Sequence, residues 1–136
     1  MVEKIKELLC SLLAKLNYRI ADTKNESAPF PQIFMRTNGH KRYKTNTVRY
    51  DTITIVFDIY SNYSGEKEIL DITETIGDNI DTIQENNPEI IFIEQTTLKI
   101  LDDNSRGVQR KHGVLAYIFT CMTSLVDDEE EDTDNG

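Results

Sequence analysis

Val2, Ile5, Leu9, Leu12, Leu13 and Leu16 recur every three or four residues, which puts them on one stripe of a helix. Lys4, Lys6, Glu7 and Lys15 fall off that stripe. Asn17, tolerant of left-handed backbone, suits the C-terminal cap. Residues 21–28 are polar and read as a loop. Pro29 and Pro31 then bracket Phe30 and hold the residues before them extended, so a short strand over residues 32–36 is predicted at a sheet edge. Residues 50–60 alternate strictly: Ile53, Ile55, Phe57 and Ile59 share one face, while Thr52, Thr54, Val56 and Asp58 share the other. A turn over residues 61–65 offers Ser64 as an N-cap, with Glu66 in the first turn of the next helix. Ile69, Ile72, Ile76, Ile80 and Ile83 return to helical spacing, and Asn86, Asn87 and Pro88 end the run. In residues 90–101, Ile91 and Ile93 are out of phase with Leu98 and Ile100, which predicts a strand with a bulge near residues 94–96. Asp102 to Gly107 reads as a loop. The last strand sets Leu115, Tyr117, Phe119 and Cys121 against Ala116, Ile118, Thr120 and Met122.

The order is α-β-β-α-β-β. It predicts an α+β fold, a four-stranded, mostly antiparallel sheet with two helices packed on one face. The polar second face of residues 50–60 agrees with an antiparallel sheet covered on one side only. At 136 residues the chain has room for a single core, assigned to residues 1–125. The formal charge of −9 is concentrated at the end, where Asp127, Asp128, Glu129, Glu130, Glu131, Asp132 and Asp134 face no base. Without apolar residues, the acidic tail over residues 126–136 is expected to be disordered.

Composition excludes several classes. No apolar run approaches the ~20 residues needed to span a bilayer. The first segment, VEKIKELLCSLLAKL, mixes charges at helical period and has no small-residue cleavage site, so it reads as a structural helix and not a signal peptide. The protein is accordingly expected to act in the compartment where it is made. Cys10 and Cys121 fit neither a CxxC redox pair nor a zinc site and are read as reduced thiols. No nucleophile elbow or phosphate-binding glycine loop occurs. Asp102-Asp103-Asn104 lacks the rest of a calcium loop. His40 and His112 stand beside lysine or arginine with no carboxylate at helix or strand spacing to orient them. No catalytic residue, metal or cofactor is expected.

Residues 36–49, RTNGHKRYKTNTVR, are the unusual chemistry: five bases, His40, and no acid. Asn38-Gly39 is a turn signal that would fit a tight hairpin, but the segment lacks a hydrophobic period and its remaining length predicts a long mobile loop over residues 37–49, a length that is usually functional or disordered. Like charges so crowded repel one another until a counter-charge arrives. Arg36, Lys41, Arg42, Tyr43, Lys44 and Arg49 are therefore candidate partner-binding residues. Tyrosine and arginine suit a protein interface, and equally the stacking surface of a small nucleic-acid-binding module. A solvated connection is the plain alternative. The second helix carries Asp71, Glu74, Asp78 and Asp81, an acidic face that a basic segment from a neighbouring copy would complement.

Four segments, APFPQIFM, YDTITIVFDIYS, SGEKEILDITETI and RGVQRKHGVLAYIFT, in this order after an N-terminal helix, resemble the tail completion, or tail-to-head joining, proteins of siphophages. The resemblance implies a structural virion protein with a tail-terminator-like fold and no catalytic residues. It implies assembly as a ring, generally hexameric, on the head-proximal end of the tail tube. There the ring stops tube polymerisation and meets the head connector or stopper. Implied partners are further copies of the chain, the tail tube protein and the connector, with no membrane and no specific nucleic-acid sequence. The implied location is the head–tail junction of the virion, and the host cytoplasm during assembly. The basic segment and the acidic tail depart from the family pattern.

Overall fold

A computed structural model describes residues 1–21, 30–104 and 110–126. Most of the polar segment 21–28 and the acids from Asp127 onward lie outside the described residues. The elements are α1 (Val2–Lys15), β1 (Ile20–Ala21), β2 (Gln32–Lys44), β3 (Val48–Ser61), α2 (Lys67–Asn86), β4 (Ile90–Asp103) and β5 (Arg110–Ser124). The four long strands pair antiparallel in the order β2-β3-β5-β4, and two-residue β1 adds a parallel fifth strand outside β2. The fold is α+β, with two helices and a four-stranded antiparallel sheet as its frame.

Both helices lay their apolar stripes on one face of that sheet. Ile5, Leu9 and Leu13 of α1, and Ile69, Ile72 and Ile76 of α2, join Ile53, Ile55, Phe57, Ile59, Leu115 and Phe119 in a single buried cluster. Helix α1 ends as its sequence suggests. Asn17 takes a φ of 66°, Tyr18 N–H donates to Leu13 O at 2.8 Å and Asn17 N–H to Ala14 O at 3.0 Å. These paired bonds satisfy carbonyls that the last helical turn leaves open. The start of α2 differs from expectation: Glu66, not Ser64, occupies the cap and makes no side-chain capping bond. Ser61 instead donates to Glu68 at 2.5 Å, tying the end of β3 to the first turn of α2.

Gly113 fixes how closely α2 approaches β5. A Cβ built there would lie 2.5 Å from Ile69 Cγ2, and Ile69 is fully buried. Gly113→Ala is expected to cost about 1–3 kcal/mol through overpacking. An unchanged urea midpoint would contradict this packing.

Two expectations about strands need correction. Residues 37–49 are not a loop: β2 runs on to Lys44, residues 45–47 turn, and β3 begins at Val48. Register continues to the tip, with Arg42 opposite Asp51, Tyr43 opposite Tyr50 and Lys44 opposite Arg49. Thr45 clamps the turn by accepting from Thr47 N–H at 3.2 Å and Val48 N–H at 3.0 Å on its Oγ1. Asn38-Gly39 marks a register shift in the strand and not its reversal. The apolar alternation used to find strands reports burial on one face. This stretch of β2 is exposed on both faces, so its sequence carries no such signal. The second correction lies at the other edge, where β4 extends through Asp102 and Asp103, which pair with Lys111 and Arg110. The bulge expected near residues 94–96 is present as a register shift between Gln95 and Thr97, and another falls between Ile90 and Phe92.

Candidate functional site

The basic hairpin is held by two aspartates of β3, Asp51 and Asp58, that lie outside the acid-free segment. Asp51 sits on the helix-side face of β3 and is only 1% exposed. His40 Nε2 lies 2.7 Å from its Oδ1, Arg42 Nε donates to Oδ1 at 3.1 Å, and Arg49 Nε to Oδ2 at 3.2 Å. Burial pushes the Asp51 pKa up, but the His40 and Arg42 hydrogen bonds and the Arg42 and Arg49 charges outweigh it, holding the carboxyl below its ordinary value. Asp58 plays the same part on the opposite face. Arg36 Nε donates to it at 2.7 Å and His112 Nε2 lies 2.9 Å away. Its burial also raises the pKa, and the Arg36 and His112 bonds again pull it below the ordinary carboxylate value. The His112 ring stacks on Tyr60 at 4.4 Å, and the Arg110 guanidinium lies 5.9 Å from the Tyr60 ring centre.

The candidate partner-binding residues thus divide. Arg36, Arg42 and Arg49 are matched within the subunit. Lys41 and Lys44, both exposed, have no ion-pair partner among the described residues. Between them Tyr43 is 65% exposed and stacks on Tyr50 with ring centres 6.4 Å apart. The tip therefore presents two unmatched cations and an aromatic face, and the three arginines hold it in place. Both histidines, expected to lack an orienting carboxylate, have one across the sheet. Sequence spacing missed them because the partners are 11 and 54 residues away. One signal was available: Asp51 continues the alternation of Ile53, Ile55 and Phe57, so an acid falls on the buried phase and calls for cations.

The acidic helix divides as well. Asp71 pairs with Lys67 at 2.8 Å. Glu74, Asp78 and Asp81 are exposed, and have no ion-pair partner among the described residues. They rim an open groove of about 570 Å³ between α2 and β4, whose apolar lining includes Leu70, Ile80, Ile93, Leu98 and Tyr117. At Gly77 the helix lies close over the sheet, where an added Cβ would stand 3.3 Å from Tyr117 Oη. Asp78, Asp81 and Tyr117 all line the groove, and burial, then the charges of Asp81 and Asp78, push the Tyr117 pKa up. Leu70 and Leu98 are large apolar side chains left exposed at this groove.

Strand order separates the two surfaces. Beyond Phe34, β2 has no outer neighbour among the described strands, and β4 is the opposite edge. Groups of three or more metal-ligating side chains are absent among the described residues. No helix among them is long and apolar enough to cross a membrane. No protein-family profile matches the sequence, and no curated protein matches it.

Proposed function

We propose that this chain is a structural virion protein of a siphophage that caps the head-proximal end of the tail tube, stops its polymerisation and joins it to the head connector. It does so as a ring of copies, monomeric when free and hexameric on the tube, at the head–tail junction after assembly in the host cytoplasm. The reading rests on the resemblance carried by the four sequence segments. One structural observation supports it above others: a cation-bearing hairpin and an acid-rimmed groove stand at opposite edges of one sheet. Self-complementary surfaces on opposite sides of a subunit favour heterologous contacts, which generate rings where the rotation from copy to copy closes. The tail tube protein and the connector would then meet the two ends of such a ring.

The alternative, nucleic-acid binding by the hairpin, draws on the stacked Tyr43 and Tyr50 beside Lys41. It is weakened by the intramolecular matching of three of the arginines. Electron microscopy of phage lacking this protein separates the readings. Overlong tails, or tails without heads, are the expected result. Normal virions would sink the tail reading, and strongly salt-dependent DNA affinity of the purified protein would then favour the alternative.

A further inference from the structure

We propose that the groove between α2 and β4 is the docking site for the hairpin tip of a second copy of this chain, with Tyr43 on the apolar floor and Lys41 and Lys44 on the acidic rim. This deepens the tail-completion reading by giving the ring contact its two surfaces, and it rests on that reading only for the place where the ring forms.

Charge selects the occupant. Within the subunit, Arg36, Arg42, Arg49 and Lys67 are already matched by carboxylates, as is Asp71 by Lys67. Of the charged residues at the hairpin tip and on the groove rim, Lys41, Lys44, Glu74, Asp78 and Asp81 have no ion-pair partner among the described residues. Complementary charges of this kind set partner and register at an interface. Apolar surface selects it too. Among the described residues Tyr43 is the most exposed of the large hydrophobic side chains, and Leu70 and Leu98 at the groove are among the others. Aromatic anchors seated in a pocket and ringed by polar contacts are the usual energetic centre of an interface. The groove volume of about 570 Å³ falls within the ~300–1,000 Å³ of pockets that enclose small ligands. One aromatic ring with two lysine stems fits that space.

Topology requires a second molecule. Two strands, β3 and β5, separate β2 from β4, which at ~4.8 Å per strand step sets the edges about 14 Å apart. The hairpin is further pinned to β3 by its register and by Asp51. It therefore does not reach the groove of its own subunit. Direct pairing of β2 with β4 is the weaker geometry, because both edges carry register shifts and β2 carries lysines, the usual guards against edge pairing. Nucleic acid is repelled from the groove by its three carboxylates.

Cross-linking tests the contact directly. The full chain with Cys10→Ser, Lys44→Cys and Asp78→Cys is oxidised mildly, both as concentrated free protein and in purified virions. Cys10 is the exposed native thiol and Cys121 is buried, so the introduced pair reports alone. The expected result is a thiol-reversible ladder of covalent oligomers that either introduced cysteine alone does not give. Adding Lys41→Glu should reduce the ladder about tenfold, and combining it with Glu74→Lys and Asp81→Lys should restore it. Each substituted residue is exposed, and an unchanged urea midpoint confirms that every variant folds. No ladder in either preparation overturns the docking while leaving tail capping to the phage that lacks the protein. A ladder unaffected by Lys41→Glu overturns it as well, since charge would not be selecting the groove. Normal virions in the absence of the protein overturn the tail reading and leave the ladder to stand.

Discussion

Phe57→Ala is expected to destabilise the protein by about 3–5 kcal/mol, the range for truncating a buried aromatic side chain. Phe57 is fully buried at the centre of β3, between Met35 on β2 and Leu115 on β5, under the helices. Its neighbours are held by strands on both sides, so the cavity has little freedom to collapse. The loss is then the transfer term plus most of the cavity term. Against a total stability of about 5–15 kcal/mol for a domain, the change removes about a fifth or more. Urea denaturation should show a lower midpoint with an unchanged slope. A midpoint within error of the parent would mean that the helices do not cover this face.

The sequence announced every element that buries an apolar stripe. Both helices, the alternation in β3 and β5 and the bulge in β4 appear where the spacing of isoleucine, leucine and phenylalanine put them. What it did not announce is the far half of β2. Thr37 to Lys44 is strand because β3 offers a register partner for nearly every residue, a non-local condition that no window of the sequence contains. The candidate site was legible in the same uneven way. The basic residues and the acids of α2 stood out by composition, but which of them were already matched depended on Asp51 and Asp58 across the sheet. Arg42 and Lys44 look interchangeable in the sequence and are not. One anchors the hairpin to a buried carboxylate, and the other stands exposed beside the turn. Groove formation was invisible as well, because it needs Leu98 of β4 and Leu70 of α2 to line one space.

Asp51→Asn is expected to lower stability by about 1.5–3 kcal/mol at pH 7, the scale of a hydrogen bond to a charged group. Breaking a fully buried ion pair would cost more, about 3–5 kcal/mol, but Arg42 is half exposed and its charge is screened by water. The effect should depend on pH with a definite sign. Hydrogen bonds from His40 and Arg42 hold the folded-state pKa of Asp51 below its unfolded value, in spite of burial. A carboxylate shifted this way stabilises the fold fully above the unfolded pKa of about 3.9 and loses that contribution as pH falls through the folded value. The stability gap between parent and Asp51→Asn should therefore be constant at neutral pH and close as pH drops below about 4. Asp58 carries a shift in the same direction, so both proteins lose stability in acid and only the gap isolates Asp51. The consequence reaches the tip. Arg42 and Arg49 lie on the two strands that carry Lys41, Tyr43 and Lys44 to the end of the sheet, and Asp51 is what ties them together. Amide exchange across residues 40–50 should speed up in Asp51→Asn more than in the α1 core, and the cross-linked ladder through residue 44 should weaken with it. A gap that stays open at low pH, or exchange that rises uniformly over the chain, would show that the charge of Asp51 does not hold the hairpin.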